Sequence, residues 1–323
     1  LATHIHNTIE KDTNMSHFVV IVIGDDPEAQ LAPYHEYECT GQDDQYVQSV
    51  DKTEDSKEAF KTHGEGETFL EFVKGWHDYP VLTALDVKEL ALSNESRKKA
   101  HQWGWIELDR DGEVAKVIQR TNPDAKWDWY QVGGRWTGYF PVKGDRPGKV
   151  GLPGLMTGQA KPGHVDMTQW GDVDIEKARA AAEEKAAERW EKWADATLHS
   201  PCPKPWSHYS KLIETEGLSA EQAREMYGQQ PAIKKYRASK NYSMGCPVED
   251  MGFDREKYLE SCRKAALVPF AVLKDGWWYE RGEMGWWAIV SDEQDQDVWT
   301  DKVSELFDGL DPNTQVTAVD CHI

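Results

Sequence analysis

Apolar and polar positions fall into a small number of patterns along this chain. From His17 to Ile23 the run HFVVIVI is continuously apolar and β-branched, which is how a strand covered on both faces reads. Gly24 ends it. Asp26-Pro27-Glu28 then supplies an N-cap, a proline at the first helical position and an acid in the first turn, so a short helix is expected next. Residues 36 to 66 are acidic and polar, with a helix expected near Ser56 to Thr62. Helical spacing returns at Phe69, Leu70 and Val73, and again at Val87, Leu90 and Leu92. Trp105-Ile106-Glu107-Leu108, the turn Asp109-Arg110-Asp111-Gly112, and Val114, Val117 and Ile118 read as a hairpin, with Asp-Gly supplying the positive φ of a tight turn.

Residues 141–171 carry seven glycines and four prolines, the composition of a long loop. Asp172 to Leu198 is the strongest helix, with Ile175, Ala178, Ala182, Ala186, Trp190 and Trp193 at steps of three or four. Ser219-Ala220-Glu221-Gln222 fits a capping box, Gly228 is placed to end that helix, and Asp254 opens another through Tyr258, Cys262 and Ala265. The C-terminal part reads as a β-β-α-β unit: Val268 to Leu273, a turn at Asp275-Gly276, strand material from Trp277 and from Trp286 to Val290, a helix from Val298 to Leu310, and the strand QVTAVDCHI. The two best strands, Ser16 to Ile23 and Gln315 to Ile323, lie near the two ends. Joining them predicts an α+β fold with a ferredoxin-like antiparallel sheet and a helical insertion. The expected division is 1–14 as a disordered or non-native leader ahead of a start at Met15, 15–140 as the N-terminal α+β part of the core, 141–171 as the Gly/Pro-rich loop, 172–266 as the helical insertion and 267–323 as the C-terminal part of the core.

Composition narrows the function classes. The 323 residues include 57 acids against 37 Lys and Arg, a net charge of −20, so direct DNA binding is not expected. A hydrophobic fraction of 39% suffices for a buried core. No run approaches the roughly 20 apolar residues of a membrane span, and no basic-then-apolar secretory signal opens the chain, so a cytoplasmic protein with no membrane partner is expected. Cys39, Cys202, Cys246, Cys262 and Cys321 are widely spaced without C-x-x-C, which points to reduced thiols rather than a disulfide framework or zinc ribbon.

Nine of the fifteen tryptophans lie between Trp103 and Trp136 or between Trp277 and Trp287. They read either as core side chains of a small sheet or as a stacking platform, although neighbours such as Trp286 and Trp287 point to opposite faces of a strand. W-Y-x-x-G occurs at Trp129 and at Trp278, a faint internal echo. The sharpest candidate ligand site is Trp127, Trp129, Tyr130, Gly133, Gly134, Arg135 and Trp136. There the glycines free the backbone for close approach, and Arg135 offers a planar fork to phosphate or carboxylate. The same residues also read, with slightly more weight, as a glycine bulge with a structural arginine-to-carboxylate bridge. Lys143, Arg146, Lys149 and Lys161 form a basic island just beyond. In the last strand Asp320 and His322 share a face, and His17 joins them if the first strand lies alongside, a candidate metal or general-base cluster. His35-Glu36-Tyr37-Glu38-Cys39 is also rich in ligand types, but on an extended segment consecutive side chains diverge. P-loop, zincin, α/β-hydrolase and zinc-deaminase motifs are absent, and no cofactor is indicated.

Taken together, MSHFVVIVIGDDPEAQLAPYHEYECTG, RTNPDAKWDWYQVGGRW, ALVPFAVLKDGWWYERGEMGWW and the terminal TAVDCHI resemble a family of uncharacterised tailed-bacteriophage proteins. The resemblance implies a phage-encoded protein acting in the cytoplasm of an infected bacterium, and carries no catalytic roles. The leading expectation is therefore an accessory protein that binds a host bacterial protein or a small phosphorylated ligand, with a counter-defence role. The alternatives are a metal-assisted enzyme acting on nucleotides or nucleic acid, and an acidic DNA-mimic decoy suggested by the net charge.

Overall fold

A computed structural model describes residues 17–83, 102–155, 157–240, 245–285 and 290–323. The leader 1–14, Met15, the spaced positions Val87, Leu90 and Leu92, and Trp286 and Trp287 lie outside the described residues. The chain forms two compact units, one of residues 1–27 and 131–321, the other of residues 28–130 and 322–323. The architecture is mixed α+β.

The first unit is built around a seven-stranded sheet. Its path runs Trp277–Glu280, Ala271–Lys274, His17–Ile23, Gln315–His322, Trp129–Gly134, Leu152–Pro153, with Met167–Gln169 also paired to Gln315–His322. The strand His17–Ile23 sits inside the sheet, and Val20, Ile21 and Val22 are wholly buried, which is why its sequence is apolar without alternation. It pairs parallel to Ala271–Lys274. It runs antiparallel to Gln315–His322, because Gly24 N donates to Gln315 O at one end while His17 meets Asp320 at the other. The hairpin Ala271–Lys274/Trp277–Glu280 turns through Asp275 and Gly276, both at positive φ (54° and 77°), as its Asp-Gly pair predicts. Helix Gln296–Phe307 lays Trp299, Val303 and Leu306 on Ile21, Val272, Val316 and Ala318. The first and last strands do share a sheet. That sheet has seven strands with parallel and antiparallel pairs, where a ferredoxin-like core has four antiparallel strands.

Residues 141–171 are held by backbone pairing rather than left as a loose loop. Phe140–Pro141 pairs with His164–Val165, and Leu152–Pro153 runs parallel to Gly133 and Gly134. The helical region follows with Ile175–Leu198, Trp206–Glu216, Ala220–Gly228, Pro231–Lys240, Pro247–Met251 and Arg255–Lys264. Asp174, Ser219 and Asp254 cap the helices they precede, as their side-chain chemistry dictates. These helices bury a core of their own around Trp193, Tyr227, Ile233, Met251 and Leu259, with Ala186 and Ala196 allowing close approach.

The second unit contains a four-stranded sheet in the order Gln48–Asp51, Val114–Thr121, Gly104–Leu108, Val81–Leu82. Its central hairpin turns at Gly112, at φ 85°. Helices Thr53–His63 and Phe69–His77 cover it, and the second opens with a reciprocal Thr68/Glu71 capping box. Arg120 is fully buried, bonded to Asp43, to the Tyr37 hydroxyl and to Gln102 O. Among the described residues no helix is long and apolar enough to cross a membrane.

Candidate functional site

Gly133 and Gly134 end a strand, and both adopt the left-handed backbone, at φ 84° and 55°. Each is pressed against a buried carboxylate. A Cβ on Gly133 would lie 2.8 Å from Asp166 Oδ2, and one on Gly134 would lie 2.3 Å from Asp320 Oδ2, so only glycine fits either position. Asp166 is fully buried. Its Oδ1 accepts from Gly138 N (2.6 Å) and Tyr139 N (3.1 Å), and its Oδ2 accepts from Gly151 N (2.9 Å). Asp320, 1% exposed, accepts from Arg135 N at 2.9 Å through Oδ2 and pairs with His17 Nδ1 at 2.7 Å through Oδ1. Gly134 O in turn receives Gly154 N and the hydroxyls of Thr137 and Thr157.

Several backbone donors that could have cradled an anion are thus consumed by the protein's own carboxylates. The Arg135 side chain remains. It is half-buried, and no carboxylate among the described residues lies within ion-pair distance of its guanidinium. The other members of the sequence-predicted set divide between the units. Gly133, Gly134, Arg135 and Trp136 belong to the first, and Trp127, Trp129 and Tyr130 to the second. Trp127 is buried, with its indole N–H on Leu31 O and its ring edge-on to Tyr130, a core side chain rather than an open platform. Trp129 is exposed. In the basic island, Lys143 bonds Gly171 O and Arg146 faces Asp172 at 3.5 Å.

The proposed metal trio also divides. His17 and Asp320 meet in the first unit, whereas His322 lies in the second and bonds Asp128 Oδ1 at 2.7 Å through Nδ1. A different group assembles around Asp128. The segment read as extended, His35 to Cys39, instead turns into the short helix Tyr37–Thr40 with Glu36 at its N-cap. Three residues apart on a helical turn, Glu36 and Cys39 face the same way and their side chains hydrogen-bond. Glu36, Cys39 and Asp128 place one donor atom each within 4.8 Å of one another, the one such group of three or more among the described residues. Burial raises the Glu36 carboxyl above its ordinary range, and the acids Glu38 and Asp128 add to the rise. The Cys39 thiol is pushed up to about 11, by desolvation first and then by Glu36. His35 turns away from this group, fully buried against Thr40 and Asp44.

A cavity of about 210 Å³ opens in the first unit over Ile21, Phe140, Trp170 and Phe307, with Arg179 and Lys264 among its lining residues. Of these residues, the sequence placed Ile21 in a strand covered on both faces, whereas Trp170 fell in the segment read as a loop. Nothing in the sequence showed that helices Ile175–Leu198 and Gln296–Phe307 would leave a hollow there. No family model, curated protein or solved structure matches this chain.

Proposed function

We propose that this chain is a binding protein for a small phosphorylated ligand, taken by the guanidinium of Arg135. The observation that carries the reading is a half-buried arginine with no acidic partner among the described residues, in a chain whose 57 carboxylates outnumber its cations. A guanidinium partly removed from water and left without a counter-charge is costly, and a phosphate that engages it in bidentate fashion recovers that cost. The turn beneath it is braced by Asp166 and Asp320, so the fork is presented from a rigid base and little ordering entropy opposes binding. The phage resemblance sets such binding in an infected bacterial cytoplasm, where a nucleotide or a modified metabolite of host defence is the fitting class of ligand.

Calorimetric titration with mononucleotides and sugar phosphates tests this. Arg135→Ala is expected to weaken binding by about ten- to a hundredfold, the worth of a charge-assisted pair, while Arg135→Lys restores it only in part. A panel in which no phosphorylated compound binds overturns the proposal. The cavity supports a second reading, since its apolar walls suit a ring-sized body and Arg179 and Lys264, paired with Glu176 and Glu260, stand at its rim to exchange those partners for an anion. Loss of binding in Lys264→Ala, with Arg135→Ala unchanged, would move the ligand there.

A further inference from the structure

We propose that Glu36, Cys39 and Asp128 form a zinc site with an open fourth position, and that His322 orients Asp128 within it. The placement rests on three separate parts of the chain in one unit. Glu36 and Cys39 come from the turn into helix Tyr37–Thr40, Asp128 from the segment before the strand Trp129–Gly134, and His322 from the end of the last strand. Backbone bonds lock these parts together: Glu36 N donates to Trp127 O at 2.6 Å, and Asp128 N donates to His322 O at 2.9 Å.

The donor set selects the ion. A thiol beside two carboxylates is too soft for magnesium or calcium, which take oxygen alone, and too oxygen-rich for copper(I). Zinc accepts thiolate and carboxylate together, and three protein ligands with one open position is its usual arrangement where a water or ligand binds. The present spacing, all within 4.8 Å, is wider than the edge of about 3.4 Å for a tetrahedron with zinc bonds near 2.1 Å. Side-chain rotation of Glu36 and Cys39, both on the rim of the unit, supplies the contraction. His322 already holds one oxygen of Asp128, so the second oxygen is the one left to face the metal. Glu38 and Asp128 repel the Glu36 carboxylate, while the Cys39 hydrogen bond and His322 favour its charged form. A divalent cation would relieve that repulsion. When the Zn–S bond forms, the Cys39 proton passes to solvent and no electrons move.

The test uses the full chain, stripped with chelator and then given cobalt(II) alone as a spectroscopic substitute for zinc. His4 and His6 are changed to alanine to remove competing donors. A thiolate-to-cobalt charge-transfer band is expected in the near ultraviolet. It should disappear in Cys39→Ser, persist in Cys202→Ser and be displaced by one equivalent of zinc. Cys39 and Cys202 are both exposed, so both serine variants are expected to fold, and circular dichroism checks this. His322→Ala should keep the band but weaken cobalt affinity by about ten- to a hundredfold, as loss of an orienting partner does. No band at saturating cobalt, or a band that survives Cys39→Ser, overturns the proposal.

Discussion

Removing the carboxylate of Asp166 tests the account of the glycine turn most directly. In Asp166→Ala three partly buried backbone N–H groups, those of Gly138, Tyr139 and Gly151, lose their acceptor together. Each unsatisfied donor costs about 1–2 kcal/mol, so the loss should total about 3–6 kcal/mol. The lower half of that range is the better expectation, because deleting a fully buried charge also removes its own desolvation cost. Against a total stability of about 5–15 kcal/mol, such a change is large. With a urea m-value of about 3 kcal/mol/M, the midpoint followed by tryptophan fluorescence should fall by about 1 M or more. Asp166→Asn keeps an oxygen for Gly138 and Tyr139 but sets its amide N–H against Gly151 N, so it should cost less, about 2 kcal/mol. Hydrogen exchange should quicken first at these three amides. A midpoint equal to that of the unmodified chain, or an asparagine variant as damaged as the alanine one, would refute the reasoning.

Gly134→Ala forces a Cβ to 2.3 Å from Asp320 Oδ2 at φ 55°, and should destabilise the first unit by about 2–4 kcal/mol in the same urea assay. Ser219→Ala removes a reciprocal cap from helix Ala220–Gly228 and should cost about 1 kcal/mol in thermal unfolding. Thiol labelling at pH 8 followed by mass spectrometry should modify Cys202 first. Cys39 should lag despite its exposure because its thiol is raised to about 11, and Cys246, pushed by burial to about 12, should stay silent until unfolding. Asp51 is held below its usual 3.8 by bonds from the Thr53 hydroxyl and backbone, so its contribution is present above that value and is lost as pH falls through the lowered one. Asp51→Asn should therefore destabilise the chain at neutral pH, with the difference from the unmodified chain vanishing as pH falls through the lowered value.

Local chemistry was legible wherever one stretch of chain carried the whole signal. The β-branched run His17–Ile23, the Asp-Gly turns at 111–112 and 275–276, the Ser219 capping box and the long helix ending at Leu198 all formed where side-chain propensity and periodicity placed them. Propensity acts over a few residues, and those residues are contiguous. Adjacency of the first and last strands was also readable, because two strands that cannot face water need partners. Sequence alone did not reveal which far-separated groups would meet. Gly133 and Gly134 looked like a ligand cradle, and only the fold brought Asp166 and Asp320 against them. His17, Asp320 and His322 shared a predicted face, but a two-unit fold gave His322 to Asp128 and left His17 with Asp320. The segment His35 to Cys39 appeared extended, until packing against residues 127 and 128 wound it into a turn that gathers Glu36 and Cys39. Pairings across such separations depend on how whole elements pack, and packing is settled by burial summed over the whole chain rather than by any one segment.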